Sequence, residues 1–140
     1  MPPARPHGLL HEQLTHSVIG GFFAVHGELG FGYREFIYAL ALERELRARG
    51  HRVAREVAVM VYVRGEPLAR QTLDMIVDEM LVIEIKSTER LHPATSAQLF
   101  SYLCATTMEV GLVLHFGRDP MFHRVVCENH LKVRHKPAEP

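Results

Sequence analysis

The segment Thr72–Lys86, TLDMIVDEMLVIEIK, decides the fold of this chain. Two apolar runs rich in strand-forming residues flank Asp78 and Glu79, whose polar side chains are typical of a tight turn. The pattern predicts an antiparallel hairpin with strands at about 69–77 and 80–87.

The register of this hairpin determines which side chains meet. Because side chains alternate between the two faces of a strand, pairing of Val77 with Leu81 would place Asp74 opposite Glu84. Asp74, Glu84 and Lys86 would then share one face of the hairpin. We expect the other face to be wholly apolar, formed by Leu73, Met75, Val77, Leu81, Ile83 and Ile85.

Two opposed carboxylates predict a positive partner between them. Directly opposed residues have Cβ atoms about 4.5–5.5 Å apart, so Asp74 and Glu84 would repel each other. Mg²⁺ takes hard oxygen ligands, commonly one or two carboxylates with waters and substrate phosphate. Lys86 could activate a water or neutralise charge on a phosphoryl group, which suits phosphodiester hydrolysis. The alternative is a solvated strand face on which Asp74 and Lys86 form an ordinary ion pair.

Composition favours one globular domain. The chain has 140 residues, 47% of them hydrophobic, with sixteen basic and sixteen acidic residues. Neutral net charge argues against a protein that coats nucleic acid, so any such contact must come from local patches. The two cysteines, Cys104 and Cys127, exclude a four-cysteine zinc or iron–sulfur site within one chain. With no signal sequence or membrane span in view, we expect a cytoplasmic protein without a membrane partner.

The order of predicted elements defines the fold class. We expect a flexible arm at residues 1–10, a single domain at residues 11–131 and a polar tail at residues 132–140. The hydrophobic spacing predicts an α-α-β-β-β-α-β order with a further strand near the end. This is an α/β fold with a central mixed sheet flanked by helices. Outside the hairpin, the predicted elements are helices from His11 to Leu29, from Tyr33 to Arg49 and from Pro93 to Met108, and strands at 53–63, 110–116 and 121–126.

Three motifs, in this order along the chain, resemble one known superfamily. Gly32–Tyr38, GYREFIY, matches the G-x-x-E-x-x-Y motif of the bacterial GxxExxY proteins. Asp74 followed by Glu84-Ile85-Lys86 resembles the D…(D/E)-x-K signature of the PD-(D/E)XK nucleases. Gln98–Tyr102 resembles the Q-x-x-x-Y helix of RecB-like members. The resemblance covers roughly residues 12–117, although Leu73 stands where the name-giving signature has proline.

The resemblance implies a restriction-endonuclease-like core and a metal-dependent active site. It implies that Asp74, Glu84 and the Ile85 carbonyl bind Mg²⁺ or Mn²⁺, and that Lys86 is the catalytic lysine. Glu35 would be a further acid that reaches the metal or its water; the alternative is a glutamate that interacts favourably with the helix dipole. The side chains implied to support Lys86 or a DNA phosphate are Gln98 and Tyr102.

Three functions remain open at the level of sequence. The first is a Mg²⁺-dependent nuclease that acts on DNA. The second is a binding or adaptor module that keeps the nuclease fold and works through a protein or DNA partner. The third is a phosphoesterase that acts on small nucleotides or RNA. Because the chain has no long basic run, homodimerisation is one way to build a groove for a duplex.

Overall fold

A computed structural model describes residues 10–132 of the chain. The arm expected at the N-terminus and the tail expected at the C-terminus lie almost wholly outside these residues. Between them the elements are α1 (Glu12–Leu29), α2 (Glu35–Ala48), β1 (Val53–Val63), β2 (Glu66–Val77), β3 (Leu81–Lys86), α3 (Ala94–Cys104), β4 (Val110–Phe116), β5 (Pro120–Val126) and a short 3₁₀ helix (Asn129–Leu131).

The strands form one mixed sheet in the order β1-β2-β3-β4-β5. Neighbouring strands are antiparallel except β3 and β4, which are parallel over six residue pairs from Leu81–Val110 to Lys86–His115. The parallel step requires a crossover, and α3 supplies it. The α/β class and the central mixed sheet expected from the sequence are confirmed.

The β2–β3 hairpin has the register expected from the sequence. Val77 pairs with Leu81, and the ladder continues to Met75 opposite Ile83. The turn is closed by the Met80 N–H, which donates to the Val77 carbonyl at 3.1 Å. Asp78 and Glu79 both have positive φ, 51° and 59°, a backbone twist that suits a tight hairpin.

Both faces of the sheet are covered, which explains why β3 and β4 are mostly apolar. Helices α1 and α2 lie on one face, where Phe22 and Leu42 pack against Ile83. Helix α3 lies on the other, where Leu99 and Leu103 pack against Val82. A glycine permits this close approach, because a Cβ at Gly111 would lie 2.9 Å from Leu99 Cδ2.

One part of the expected apolar face is wrong. Met75 packs on the α1–α2 side, but Leu73 packs on the opposite side, with Val82 and α3. Strict alternation would place two residues so spaced on the same face. The break coincides with Glu56 of β1, which the register sets across from Asp74 and which has a φ of 52°. We attribute the change of face to this local irregularity.

Three helix or strand boundaries differ from the predicted ones by two residues or more. β2 begins at Glu66 rather than near residue 69, α2 begins at Glu35 rather than Tyr33, and α3 ends at Cys104 rather than near Met108. The uncertain last strand is present as Pro120–Val126. Ladder pairing extends β2, because Glu66 and Pro67, which the sequence predicts to lie in the turn, pair with the end of β1.

The connection between α1 and α2 is fixed by a buried tyrosine. Tyr38 is fully buried, and its hydroxyl donates to the Gly30 carbonyl at 2.5 Å and accepts the Tyr33 N–H at 3.3 Å. Its ring stacks on Phe116 of β4, with centroids 4.4 Å apart. The tyrosine of the G-x-x-E-x-x-Y segment therefore anchors the loop that precedes Glu35.

We predict that Tyr38→Phe lowers the free energy of unfolding by about 1–2 kcal/mol, because the Gly30 carbonyl loses its hydroxyl partner in a partly buried loop. Urea denaturation followed by circular dichroism measures the change. Tyr33→Phe is the matched control, since the Tyr33 side chain is half exposed. Equal stability of the two variants would contradict the anchoring role.

Candidate active site

Glu84 and Lys86 project from β3 on the same side and form an ion pair. Lys86 Nζ lies 3.3 Å from Glu84 Oε1. The Glu84 side chain is 18% exposed and that of Lys86 is 31% exposed, so the pair is largely shielded from water. A buried carboxylate at the end of a central strand is costly unless it is paired.

Asp74 is held against β3 by a backbone hydrogen bond. The Ile85 N–H donates to Asp74 Oδ2 at 2.8 Å, just beyond Met75–Ile83, where the regular β2–β3 pairing ends. The contact fixes one carboxylate oxygen of Asp74 and leaves the other for a further partner. It also keeps the carboxylate of Asp74, a residue of β2, next to β3, the strand that carries Glu84 and Lys86.

Glu35 approaches the same cluster from the first turn of α2. The residue is exposed, yet its carboxylate interacts with the backbone of Ser87 and with the charges of Asp74 and Lys86. Burial and the negative charge of Asp74 raise the pKa of Glu35 above its ordinary value. The structure therefore brings all four charged residues predicted for the site into one cluster: Glu35, Asp74, Glu84 and Lys86.

The cluster carries more negative than positive charge. Burial, followed by repulsion from Asp74, raises the pKa of Glu84 to about 7, although the nearby Lys86 ammonium opposes this rise. Three carboxylates face one lysine, so the lysine cannot balance them all. Such a cluster favours binding of an additional cation.

Lys86 remains protonated at neutral pH. Burial acts to lower its pKa, but Glu84, Glu35 and Asp74 together outweigh that effect and raise the pKa above the ordinary lysine value. In this state Lys86 is a positive charge rather than a proton acceptor. A charge of this kind can stabilise an anion electrostatically.

Gln98 and Tyr102 lie one turn apart on α3 but have different surroundings. Gln98 is exposed and lines a cavity of about 320 Å³ together with Lys86. Tyr102 is half-buried and packs with Leu99 and Leu103 in the hydrophobic core on the α3 side of the sheet, here called the second core. Of the two residues predicted to support the lysine, Gln98 shares its cavity and Tyr102 packs against the core.

The segment after β3 contributes residues that the sequence did not single out. Thr88, Arg90 and His92 line the cavity with Lys86, and Arg90 adds a positive charge. The Thr88 carbonyl accepts a hydrogen bond at 2.6 Å from Nε2 of His115, a buried residue of β4 that pairs with Lys86. Thr88, Arg90 and His92 follow closely after the Glu84-Ile85-Lys86 segment in the sequence. That position could have predicted that they lie near Lys86.

The donor atoms in the cluster suit a hard divalent cation. Asp74, Glu84 and Glu35 offer carboxylate oxygens, the ligand type that Mg²⁺ and Mn²⁺ prefer. Within residues 10–132, no three His, Cys, Asp or Glu side chains are close enough to complete a metal site by themselves. Sites of this kind commonly use one or two carboxylates and complete the shell with water and phosphate. The residues present therefore fit a hard divalent cation.

The family follows from comparison with known proteins. A model of the PD-(D/E)XK nuclease superfamily matches residues 12–125. The chain belongs to this superfamily. The restriction-endonuclease-like core expected from the sequence is confirmed for this PD-(D/E)XK domain, whereas the GxxExxY subgroup remains a resemblance.

A solved structure supports the fold of this PD-(D/E)XK domain. The crystal structure of SSO0001 is similar with a TM-score of 0.51 and 20% sequence identity, and the match covers 84% of this chain. The chain spans 60% of the length of SSO0001. At this identity the likeness concerns the fold alone. Among curated proteins, none matches the chain.

Within residues 10–132 of the PD-(D/E)XK domain, no helix combines the length and the apolar character needed to cross a bilayer.

We predict that the metal-free protein loses stability as Glu84 ionises. Its folded pKa of about 7 lies above the ordinary 4.5, so the stabilising contribution is full below pH 4.5 and is lost as the pH rises through 7. Glu84→Gln should therefore unfold with a free energy on the order of 2 kcal/mol higher than wild type at pH 8, and the gap should close towards pH 5.

Urea titrations of both proteins in chelator at each pH measure this difference. Glu79→Gln is the control, because Glu79 lies in the nearby turn with its side chain 81% exposed. A Glu84→Gln variant that is less stable than wild type at pH 8 would show that the Lys86 ion pair outweighs the repulsion.

Proposed function

We propose that this protein is a metal-dependent nuclease that hydrolyses phosphodiester bonds in DNA. The observation that carries the proposal is the gathering of Asp74, Glu84 and Glu35 around Lys86, with a Glu84 pKa raised to about 7. Repulsion among these three carboxylates destabilises the folded protein unless a cation binds between them. Strongly perturbed carboxylates beside a cavity are typical of catalytic sites.

Asp74 and Glu84 would hold the metal, Mg²⁺ or Mn²⁺, together with the Ile85 carbonyl. In an antiparallel pair, the N–H and C=O of one residue point to the same neighbouring strand. Since the Ile85 N–H reaches Asp74, its carbonyl is directed towards β2 as well, beyond the last ladder pair. When bound, a divalent cation supplies Lewis-acid activation of water and neutralises phosphate charge.

Lys86 would bind and stabilise the scissile phosphate. Its ammonium is protonated at neutral pH and lies at the wall of the cavity lined by Gln98 and Arg90. A phosphate that enters this cavity meets a fixed positive charge in a partly desolvated place, where such a charge stabilises the transition state more than in water. Gln98 would orient the phosphate or the lysine by hydrogen bonding.

Glu35 would hold or accept the proton of the attacking water. Its raised pKa brings it nearer to neutrality than an ordinary glutamate, which favours proton transfer. Because Glu35 lies on α2 rather than on the hairpin, it approaches the cluster from the side opposite to α3. The water would thus be bounded by Glu35 on one side and by the phosphate cavity on the other.

We predict that the protein cleaves DNA with Mg²⁺ or Mn²⁺ and stops when a chelator is added. Lys86→Ala should fold and bind metal nearly as wild type does, yet lose about 10²–10³ in rate, the scale of one electrostatic stabiliser. Asp74→Ala should lose metal binding as well, because one remaining carboxylate holds Mg²⁺ poorly. Calorimetric Mn²⁺ titration and cleavage of single-stranded, duplex and branched DNA and of RNA separate these effects.

The two variants also control for contaminating nucleases, as each is purified in the same way as wild type. Glu79→Gln serves as the charge control at an exposed position of the same hairpin. Unchanged cleavage in Lys86→Ala and Asp74→Ala would assign the activity to another protein. If wild type cleaves none of the substrates, the adaptor function replaces the nuclease.

We further predict that Gln98→Ala lowers the cleavage rate by up to about tenfold, because one neutral hydrogen bond to the phosphate or lysine is lost. Tyr102→Phe should leave the rate near the wild-type value, since Tyr102 packs against the second core. Single-turnover cleavage by the two variants provides the comparison. A larger loss in Tyr102→Phe than in Gln98→Ala would reverse these roles.

A further inference from the structure

The two edges of the sheet differ in how they are protected. β5 at one edge begins with Pro120 and carries His123 and Arg124, residues that discourage pairing with another strand. β1 at the other edge contains the seven-residue run Val57–Val63, VAVMVYV, with no charge and no proline. Proteins normally interrupt an exposed edge of this kind. The contrast indicates that the β1 edge has a partner.

The sequence of this edge is complementary to itself. In antiparallel pairing of two copies about Met60, valine meets valine at two positions, as Val57–Val63 and Val59–Val61. Ala58 meets Tyr62, so a small side chain faces a large one. A two-fold axis through Met60 would therefore produce a matched apolar ladder, the self-complementary pattern that a symmetric interface requires.

Opposite charges bound the apolar run at both ends. In the same register, Glu56 of one copy lies opposite Arg64 of the other, and the symmetry repeats this pair. Both residues are exposed, and neither forms an ion pair within residues 10–132. Both have a φ of 52° and bound the run at its two ends. The pairing of β1 with β2 shifts register between Val61 and Tyr62, but the extra residue, Leu68, is on β2, so β1 itself is uninterrupted there. Like charges at these positions would have opposed the pairing.

We propose that two copies of this chain pair through their β1 edges, antiparallel about Met60, and form one continuous ten-stranded sheet. The pairing would satisfy the outward backbone groups of Val57–Val63, and β1 lies two strands away from β3, which carries Glu84 and Lys86. The two-fold axis maps each face of the sheet onto itself, so the valines of both copies lie on the α3 side, where Val59 already contacts the second core.

Sedimentation velocity on the full chain over a wide concentration range tests the proposal. Wild type should approach a mass twice 15.9 kDa and form nothing larger, because the pairing closes on itself. Met60→Lys should remain monomeric at the highest concentration, since it sets two ammonium groups opposite each other at the axis. Circular dichroism verifies that this variant is folded.

A charge exchange tests the register independently of folding defects. Glu56→Arg alone and Arg64→Glu alone should each raise the dimer Kd by roughly tenfold, because each replaces two attractive pairs with two repulsive ones. The double variant should return close to the wild-type Kd. Glu28→Arg, an equal charge change on the exposed part of α1, is the control and should leave the Kd unchanged.

Three results would overturn the proposal. The first is a wild-type monomer at all concentrations, which would leave the edge to a different partner. The second is a dimer that Met60→Lys does not weaken, or an assembly that grows beyond two chains. The third is a double charge exchange that dimerises no better than the single variants.

Discussion

The hydrogen bond from the Ile85 N–H to the Asp74 carboxylate joins β2 to β3 where their regular pairing ends. It replaces a ladder bond with a side-chain contact and holds an acid from β2 beside Glu84 and Lys86 of β3. A shift of the register by one residue would turn these side chains to the other face of the sheet. The Val77–Leu81 pairing and the Asp78 turn therefore support the site as much as its charged residues do.

The charge distribution of the site is kept at a cost in folding free energy. Glu84 is largely buried beside Asp74, and the single ammonium of Lys86 does not offset the combined negative charge. The hydrophobic clusters on the two sides of the sheet compensate for this cost, because the remaining residues of β3 and most of β4 pack within them. A rigid central strand is also what a reaction at its end needs, since small displacements of catalytic groups lower the rate steeply.

Different elements of the domain have separate tasks. The central strands and α3 position the lysine and its cavity, while Tyr38 holds the loop that brings Glu35 to the cluster. The β1 edge, through which we propose that two copies pair, is joined to the site by β2. Glu56 at the end of that edge lies across from Asp74, so the proposed interface borders the site.

The sequence by itself determined the order of elements, the hairpin register and the strand face that carries Glu84 and Lys86. Alternation of apolar residues around Asp78-Glu79 was sufficient because a buried strand face strongly constrains register. Only the tertiary structure decided which face Leu73 occupies, since the irregularity at Glu56 depends on pairing with another strand. It alone showed that Gln98 lines the cavity while Tyr102 packs against the core, and it added Arg90 to the cavity, because both results depend on which other elements lie against α3 and β3.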